Sequence, residues 1–218
     1  SVVLVSIGFW LPTLAQTTQT DNETLNEIFR LLDEELAQRE QETVTKYGNE
    51  ENELQKAIST IHSMGITKFD TIETFMADKA IRRDEAATMF YRFVTSESSL
   101  SATTVNNNCD FLDLNEAHSD LIEVVQNSCK AWLFYWAQGR FLPRSSITNA
   151  QAITVMARIL DGRKDERGDH WADGYYDLLT QYGVMLGLAM RDKRNYDDTI
   201  TRGDIAILLY RVHNELDG

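Results

Sequence analysis

Apolar residues recur along this chain with a helical period rather than with the alternation of a half-buried strand. Leu25, Ile28, Phe29, Leu32 and Leu36 form one stripe after a cap at Asp21 or Asn22, and the stripe stops before Gly48. That pattern predicts an amphipathic helix and linker over residues 16–50. Further on, Thr95–Asn108 is rich in Ser, Thr and Asn without periodicity, and Asp161–Gly168 is charged with two glycines. Both read as connectors, and they divide the remainder into segments 51–100, 101–162 and 163–218.

The three segments align on one another. Placing Ile81, Ile147 and Ile200 in register makes Arg92, Arg158 and Arg211 coincide eleven positions later. Between those anchors lie Ala86, Met89, Phe90 and Phe93; Ala152, Val155, Met156 and Ile159; and Ile205, Leu208, Leu209 and Val212. Each set follows i, i+3, i+4, i+7, so three helices bury corresponding faces, most simply against one another. A helix precedes each of these, in register when Gly65, Trp132 and Gly183 are aligned. Gly65 and Gly183 suit a left-handed helix end, whereas Trp132 does not, so the middle segment is expected to end its first helix differently. The connecting loops, fifteen to seventeen residues long, are long enough for a function or a short extra helix.

Charge narrows the chemistry. The formal net charge is −13, and residues 17–55 hold eleven acidic and three basic side chains, so most of the excess sits in the N-terminal stretch. A polyanion such as DNA meets repulsion over most of this surface, and nucleic acid is not an expected partner. Val2–Leu14 is apolar and is followed by Ala15-Gln16, the pattern of a secretory signal over residues 1–15; the alternative is a buried N-terminal strand or helix. No charged leader precedes Ser1, and the expectation is that the natural start lies upstream. In an exported chain the two cysteines, Cys109 and Cys129, suggest a disulfide, with two buried thiols as the alternative. No metal site or cofactor is expected, because neither cysteine nor His118 has a ligand-spaced companion.

Catalytic patterns are missing. The sequence contains no G-x-S-x-G, H-E-x-x-H, G-x-G-x-x-G or phosphate-loop motif, and the four histidines share no spacing. Asp192, Asp197 and Asp198 miss the calcium-loop spacing. A non-enzymatic protein is expected.

Three sets of residues carry a family likeness. The last segment has His170-Trp171-Ala172, Gly183-Val184 and Ile200-Thr201-Arg202-Gly203-Asp204. The middle one has Phe111-Leu112-Asp113, Gly139-x-Phe141-x-Pro143 and Ile147-Thr148. The first has Gly65-Ile66 and Ile81-Arg82-Arg83-Asp84-Glu85. Together they resemble three tandem S-layer homology (SLH) motifs over residues 51 to 213. The resemblance implies an all-α fold: three helix-loop-helix repeats in a pseudo-threefold spindle, here preceded by the acidic amphipathic helix. It also implies export to the cell surface and anchoring to the bacterial cell wall through an anionic, often pyruvylated, wall polysaccharide held in grooves between repeats. A structural S-layer or assembly protein, using the repeats for protein–protein contacts, is the alternative. The N-terminal helix docks on the chain itself or on a protein partner through residues 21–42.

The residues add a physical reason for a ligand. Thr148 with Gln151 and Thr201 with Asp204 have capping-box spacing, which places helix starts there. An arginine just after such a cap sits at the positive end of the helix dipole, at a cost of up to ~1 kcal/mol, unless a ligand carboxylate held by the exposed backbone N–H groups and the guanidinium compensates. Arg83 and Arg202 hold that place and Asn149 replaces them in the middle segment. Arg83, Asn149, Arg202, Thr201 and Trp171 are the candidate glycan-binding residues. The structural alternatives are an ion pair of Arg83 with Asp84, Glu85 or an acid of another segment, a pair of Arg202 with an acid such as Asp198, and a core anchor at Trp171. Arg92, Arg158 and Arg211 read as helix C-terminal cations that fasten neighbouring segments.

Overall fold

The computed structural model describes residues 24–31, 33–34, 37–38, 41, 50–100, 109–134, 139–161, 168–185 and 195–217. The chain forms two compact units, Ser1–Glu42 and Thr43–Gly218. In the first, α1 comprises the helical residues 24–31, with residues 33–34, 37–38 and 41 also helical. Leu25, Ile28, Phe29 and Leu31 are exposed, while Arg30 bridges Glu27 and Glu34 along the opposite side of the turn. The expected export segment, residues 1–15, lies outside the described residues, as do Leu32 and Leu36.

The second unit contains α2 (Glu50–Ser63), α3 (Ile72–Phe75), α4 (Arg83–Ser96), α5 (Ile122–Lys130), α6 (Asn149–Asp161), α7 (Asp173–Gln181) and α8 (Arg202–Asp217), with 3-10 turns at Leu114–Glu116 and Ser119–Leu121. It is all-α: the described residues contain no strand, only isolated bridges between Ala80 and Thr201, Arg82 and Ser146, and Thr148 and Thr199. The short α3, capped by Thr71, is the extra helix that the long first loop allowed.

Helix pairing differs in emphasis from the simplest sequence expectation. α4 touches α6 and α8, but the larger contacts join α2 to α8, α4 to α5 and α6 to α7. Each second helix thus packs chiefly on the first helix of another segment. The amphipathic stripes account for this: Phe90, Phe93, Met156, Leu208 and Leu209 face inward, as do Ala57, Ile58 and Ile61 on α2 and Tyr175 and Leu179 on α7.

At the starts of α4, α6 and α8 the chain closes a hydrogen-bonded ring. The Ile81 amide donates to the Ile200 carbonyl (3.1 Å), Ile200 to Ile147 (3.1 Å) and Ile147 to Ile81 (3.3 Å). All three isoleucines are fully buried, so each backbone group there needs a protein partner, and each finds it in a different segment. The next amides are satisfied the same way. Arg83 and Asp84 donate to Ser145 and Pro143, Asn149 and Ala150 to Asp198 and Tyr196, and Arg202 and Gly203 to Lys79 and Ala77.

The three first helices end alike, which corrects the expectation for the middle segment. Gly65, Trp132 and Gly183 all have positive φ (73°, 63° and 71°). In each case the following amide reaches back five residues, from Ile66 to Ile61, Leu133 to Ser128 and Val184 to Leu179, the double-bonded helix stop that left-handed residues provide. Trp132 adopts this conformation despite its Cβ, at a cost of about 1–2 kcal/mol. Cys109 and Cys129 are joined, with sulfurs 2.04 Å apart, tying the start of the middle segment to the last turn of α5. The chain-entropy model gives such a crosslink about 3 kcal/mol.

Candidate functional site

The middle segment's two sequence motifs meet in space. The buried Asp113 carboxylate accepts the amides of Phe141 (2.8 Å) and Leu142 (2.9 Å), and the Leu112 amide donates to Gly139. Phe111 packs on Phe141 with ring centroids 5.2 Å apart. The loop from Gly139 to Pro143 is thereby fixed where it presents the Pro143 carbonyl to the start of α4.

Beside this hub lies a groove of about 490 Å³, lined by Ile66–Phe69, Met76, Arg82, Glu85, Thr88, Met89, Arg92, His118, Asp120, Leu121 and Arg202. That volume falls within the usual range of ligand sites. Four of its side chains, Lys68, Arg82, Arg92 and Arg202, are basic, against the two carboxylates of Glu85 and Asp120, in a chain of net charge −13. Arg202 is held by the Phe75 carbonyl (2.8 Å) and Glu85 (2.9 Å), with its guanidinium 4.9 Å from the Phe75 ring centroid. Arg92 donates to the Ile66 carbonyl (3.0 Å), and Arg82 forms a two-point pair with the fully buried Asp84.

A smaller groove of about 180 Å³ is lined by Arg83, Leu133, Phe134, Gln151, Thr154, Val155, Arg158 and Trp171. Arg83 donates to Gln151 (3.3 Å) and lies over the rings of Phe134 (5.3 Å) and Phe141 (5.2 Å). Burial lowers its pKa to about 10, with Asp113 pulling the other way. Trp171 is 45% exposed at the rim, 5.3 Å from the His170 ring. Arg158 lies over Tyr175 (5.6 Å).

The third junction is closed. Arg211 is 2% exposed and Glu53 4%; the guanidinium donates to both Glu53 oxygens (2.6 and 2.8 Å) and to the Val184 carbonyl (3.2 Å). This buried, doubly bonded pair joins α2 to α8.

Of the residues singled out from sequence, the structure brings Arg202 to the larger groove and Arg83 and Trp171 to the smaller. Asn149 and Thr201 line neither. Asn149 is buried and donates from its amide side chain to Asn195 (2.8 Å). Thr201 caps α8 reciprocally with Asp204 (3.1 and 3.2 Å), as Thr148 caps α6 with Gln151 (both 3.3 Å). The backbone amides expected to hold a ligand carboxylate are consumed by carbonyls of neighbouring segments. Any anion must therefore be met by side chains. Arg202 pairs with Glu85, not Asp198, Asp84 pairs with Arg82, not Arg83, and Trp171 sits at a rim rather than in the core. Of the three aligned arginines only Arg158 lies in a last helical turn; Arg211 fastens two segments, and Arg92 reaches a carbonyl of its own segment.

Sequence reasoning passed over Arg82, Lys68 and His118. Arg82 aligns with the capping threonines Thr148 and Thr201, so a long cation where the other segments place a short hydroxyl was the available signal. His118 has a parallel in His170: each imidazole Nδ1 accepts the amide two residues on, from Asp120 (3.4 Å) and from Ala172 (3.1 Å). Among the described residues no cluster suits a metal ion, and no helix is long and apolar enough to cross a membrane. No family model, curated protein or solved structure matches the chain.

Proposed function

We propose that residues 51 to 213 form three SLH-like helix-loop-helix repeats in a pseudo-threefold spindle, and that this non-catalytic protein is exported and holds to the bacterial cell wall by binding an anionic wall polysaccharide, a pyruvylated polymer being one such ligand. The observation that carries the reading is the cationic groove of Lys68, Arg82, Arg92 and Arg202 in an otherwise acidic protein. Carboxylate or phosphate groups match guanidinium forks, and the Phe69 and Met76 side chains at the same groove offer apolar surface to a sugar ring. The closed ring at Ile81, Ile147 and Ile200 supports the threefold arrangement, and the disulfide suits an oxidising compartment. Phe69, Met76 and Leu121 give the same groove the apolar surface that contacts between copies of this chain would use, and retention on cell walls separates that assembly reading from this one.

The test is retention on purified cell-wall sacculi, compared with sacculi stripped of acidic polymers by acid. The protein should be retained on the first and not the second. Lys68→Gln with Arg92→Gln should reduce retention at least tenfold while the helical circular-dichroism signal is kept. Equal retention on stripped walls, or by the double variant, overturns the reading.

A further inference from the structure

The groove does not end at His118. A second concavity of about 430 Å³ is lined by Arg82, Glu116, Ala117, His118, Ser119 and Arg144. Arg82 and His118 line both spaces, so the two share a wall.

The groups at that wall are held before any ligand arrives. Asp84, fully buried, accepts from Nε (3.1 Å) and Nη2 (2.6 Å) of Arg82, from the Glu85 amide (2.9 Å) and from the His118 amide (3.4 Å). Among the described residues Arg82 Nη1 has no hydrogen-bond partner, and 40% of the side chain remains exposed. The His118 Nδ1 accepts the Asp120 amide (3.4 Å), which in the neutral ring makes Nε2 the donor. Arg144 donates its Nε to the Glu116 carbonyl (2.9 Å), and its backbone is pinned on both sides because Pro143 and Ser145 accept the first amides of α4. Three cationic or donor side chains from three loops are thus oriented by backbone or buried-carboxylate contacts, with donor atoms to spare. Such preorganisation lowers the entropy lost on binding.

We infer that this second concavity is a binding subsite for another anionic group of the same polymer, so that an acidic chain lies across Arg82 with one charge between Arg202 and Arg92 and the next between Arg82, His118 and Arg144. The inference rests on the groove reading above and adds that the ligand is recognised as a polyanion rather than as a single charged terminus. The anionic group is a carboxylate or a phosphate. Two charges on one chain make the second contact intramolecular, so affinity rises with chain length without a new kind of contact.

Calorimetric titrations with mono-, di- and tetragalacturonate form the carboxylate arm, and glycerol phosphate with its short oligomers the phosphate arm. In the arm with the right chemistry the tetramer should bind at least ~10-fold tighter than the monomer. Arg144→Gln should bring that ratio close to one, and Arg144→Lys, which keeps the charge, should retain most of it. A wild-type ratio near one, or a ratio that survives Arg144→Gln, overturns the subsite, as does sacculus retention without binding of either oligomer series. Failure of sacculus retention instead overturns the groove reading together with the subsite.

Discussion

The junction between α4 and α5 and the junction between α8 and α2 use corresponding residues to opposite ends. Arg92 and Arg211 occupy aligned positions, and each donates to the carbonyl just after a left-handed helix end, Ile66 and Val184. The difference lies at the partner helix, twelve positions before its own left-handed end at Gly65 for α2, Trp132 for α5 or Gly183 for α7. Glu53 stands there on the long α2 and seals Arg211 from water. Asp120 stands there in a 3-10 turn ahead of the shorter α5, one methylene shorter, 81% exposed and hydrogen-bonded to Ser119. The third aligned residue is Trp171, at the rim of the small groove. One position therefore decides between a clamp, an open cationic cleft and an aromatic rim. The lesson is that an arginine on a shared backbone plan binds solvent or ligand only when the neighbouring helix start fails to bring it an acid.

The sharpest attempt to break this contrast is Glu53→Ala, which strands the Arg211 charge in the interior and should cost about 3–5 kcal/mol. Urea denaturation measures it, and a loss below about 1 kcal/mol would mean that the two junctions do not differ energetically. A smaller effect tests the shared backbone plan. Trp132→Gly should be more stable than Trp132→Ala by about 1 kcal/mol, since both lose the indole and only glycine relieves the left-handed strain. A glycine variant no more stable than the alanine one would show that the middle helix end carries no such strain. A similarly small effect belongs to Arg92→Ala, which removes one part-buried hydrogen bond from a surface side chain and should change stability by about 1 kcal/mol. A loss approaching that of Glu53→Ala would erase the distinction between clamp and cleft.

Local features of this molecule were legible in its sequence, and features made by distant partners were not. The apolar spacing on α4, α6 and α8, the two capping boxes and the Cys109–Cys129 link all follow from residues near one another in the chain or from simple counting. Arg202 stood out as a candidate through its misfit with the helix dipole. Its partner, Glu85, was not recognisable, because the two are 117 residues apart. Glu53 looked like one more solvated acid at the edge of an acidic stretch. Nothing in a hydropathy pattern marks it as the buried partner of a residue 158 positions away. The same blindness misplaced the helix-start amides, which sequence alone leaves open for an anion and which the carbonyls of Lys79, Ser145 and Asp198 occupy. Trp132 shows the reverse case, in which packing around a common plan overrides a local preference.

The ring of Ile81, Ile147 and Ile200 also bears on how the protein is made. No link of it can close before residue 147 has been synthesised, and the last two wait for residue 200; α2, the earliest of the packed helices, rests on α8, the latest. Loop-closure entropy must be overcome before such distant contacts give anything back. During synthesis α2 therefore emerges without its partner, and its apolar side stays wet until α8 is made, whereas α4 meets α5 midway along the chain. The slow step, and the interval of greatest exposure to aggregation, belong to biosynthesis rather than to the finished molecule.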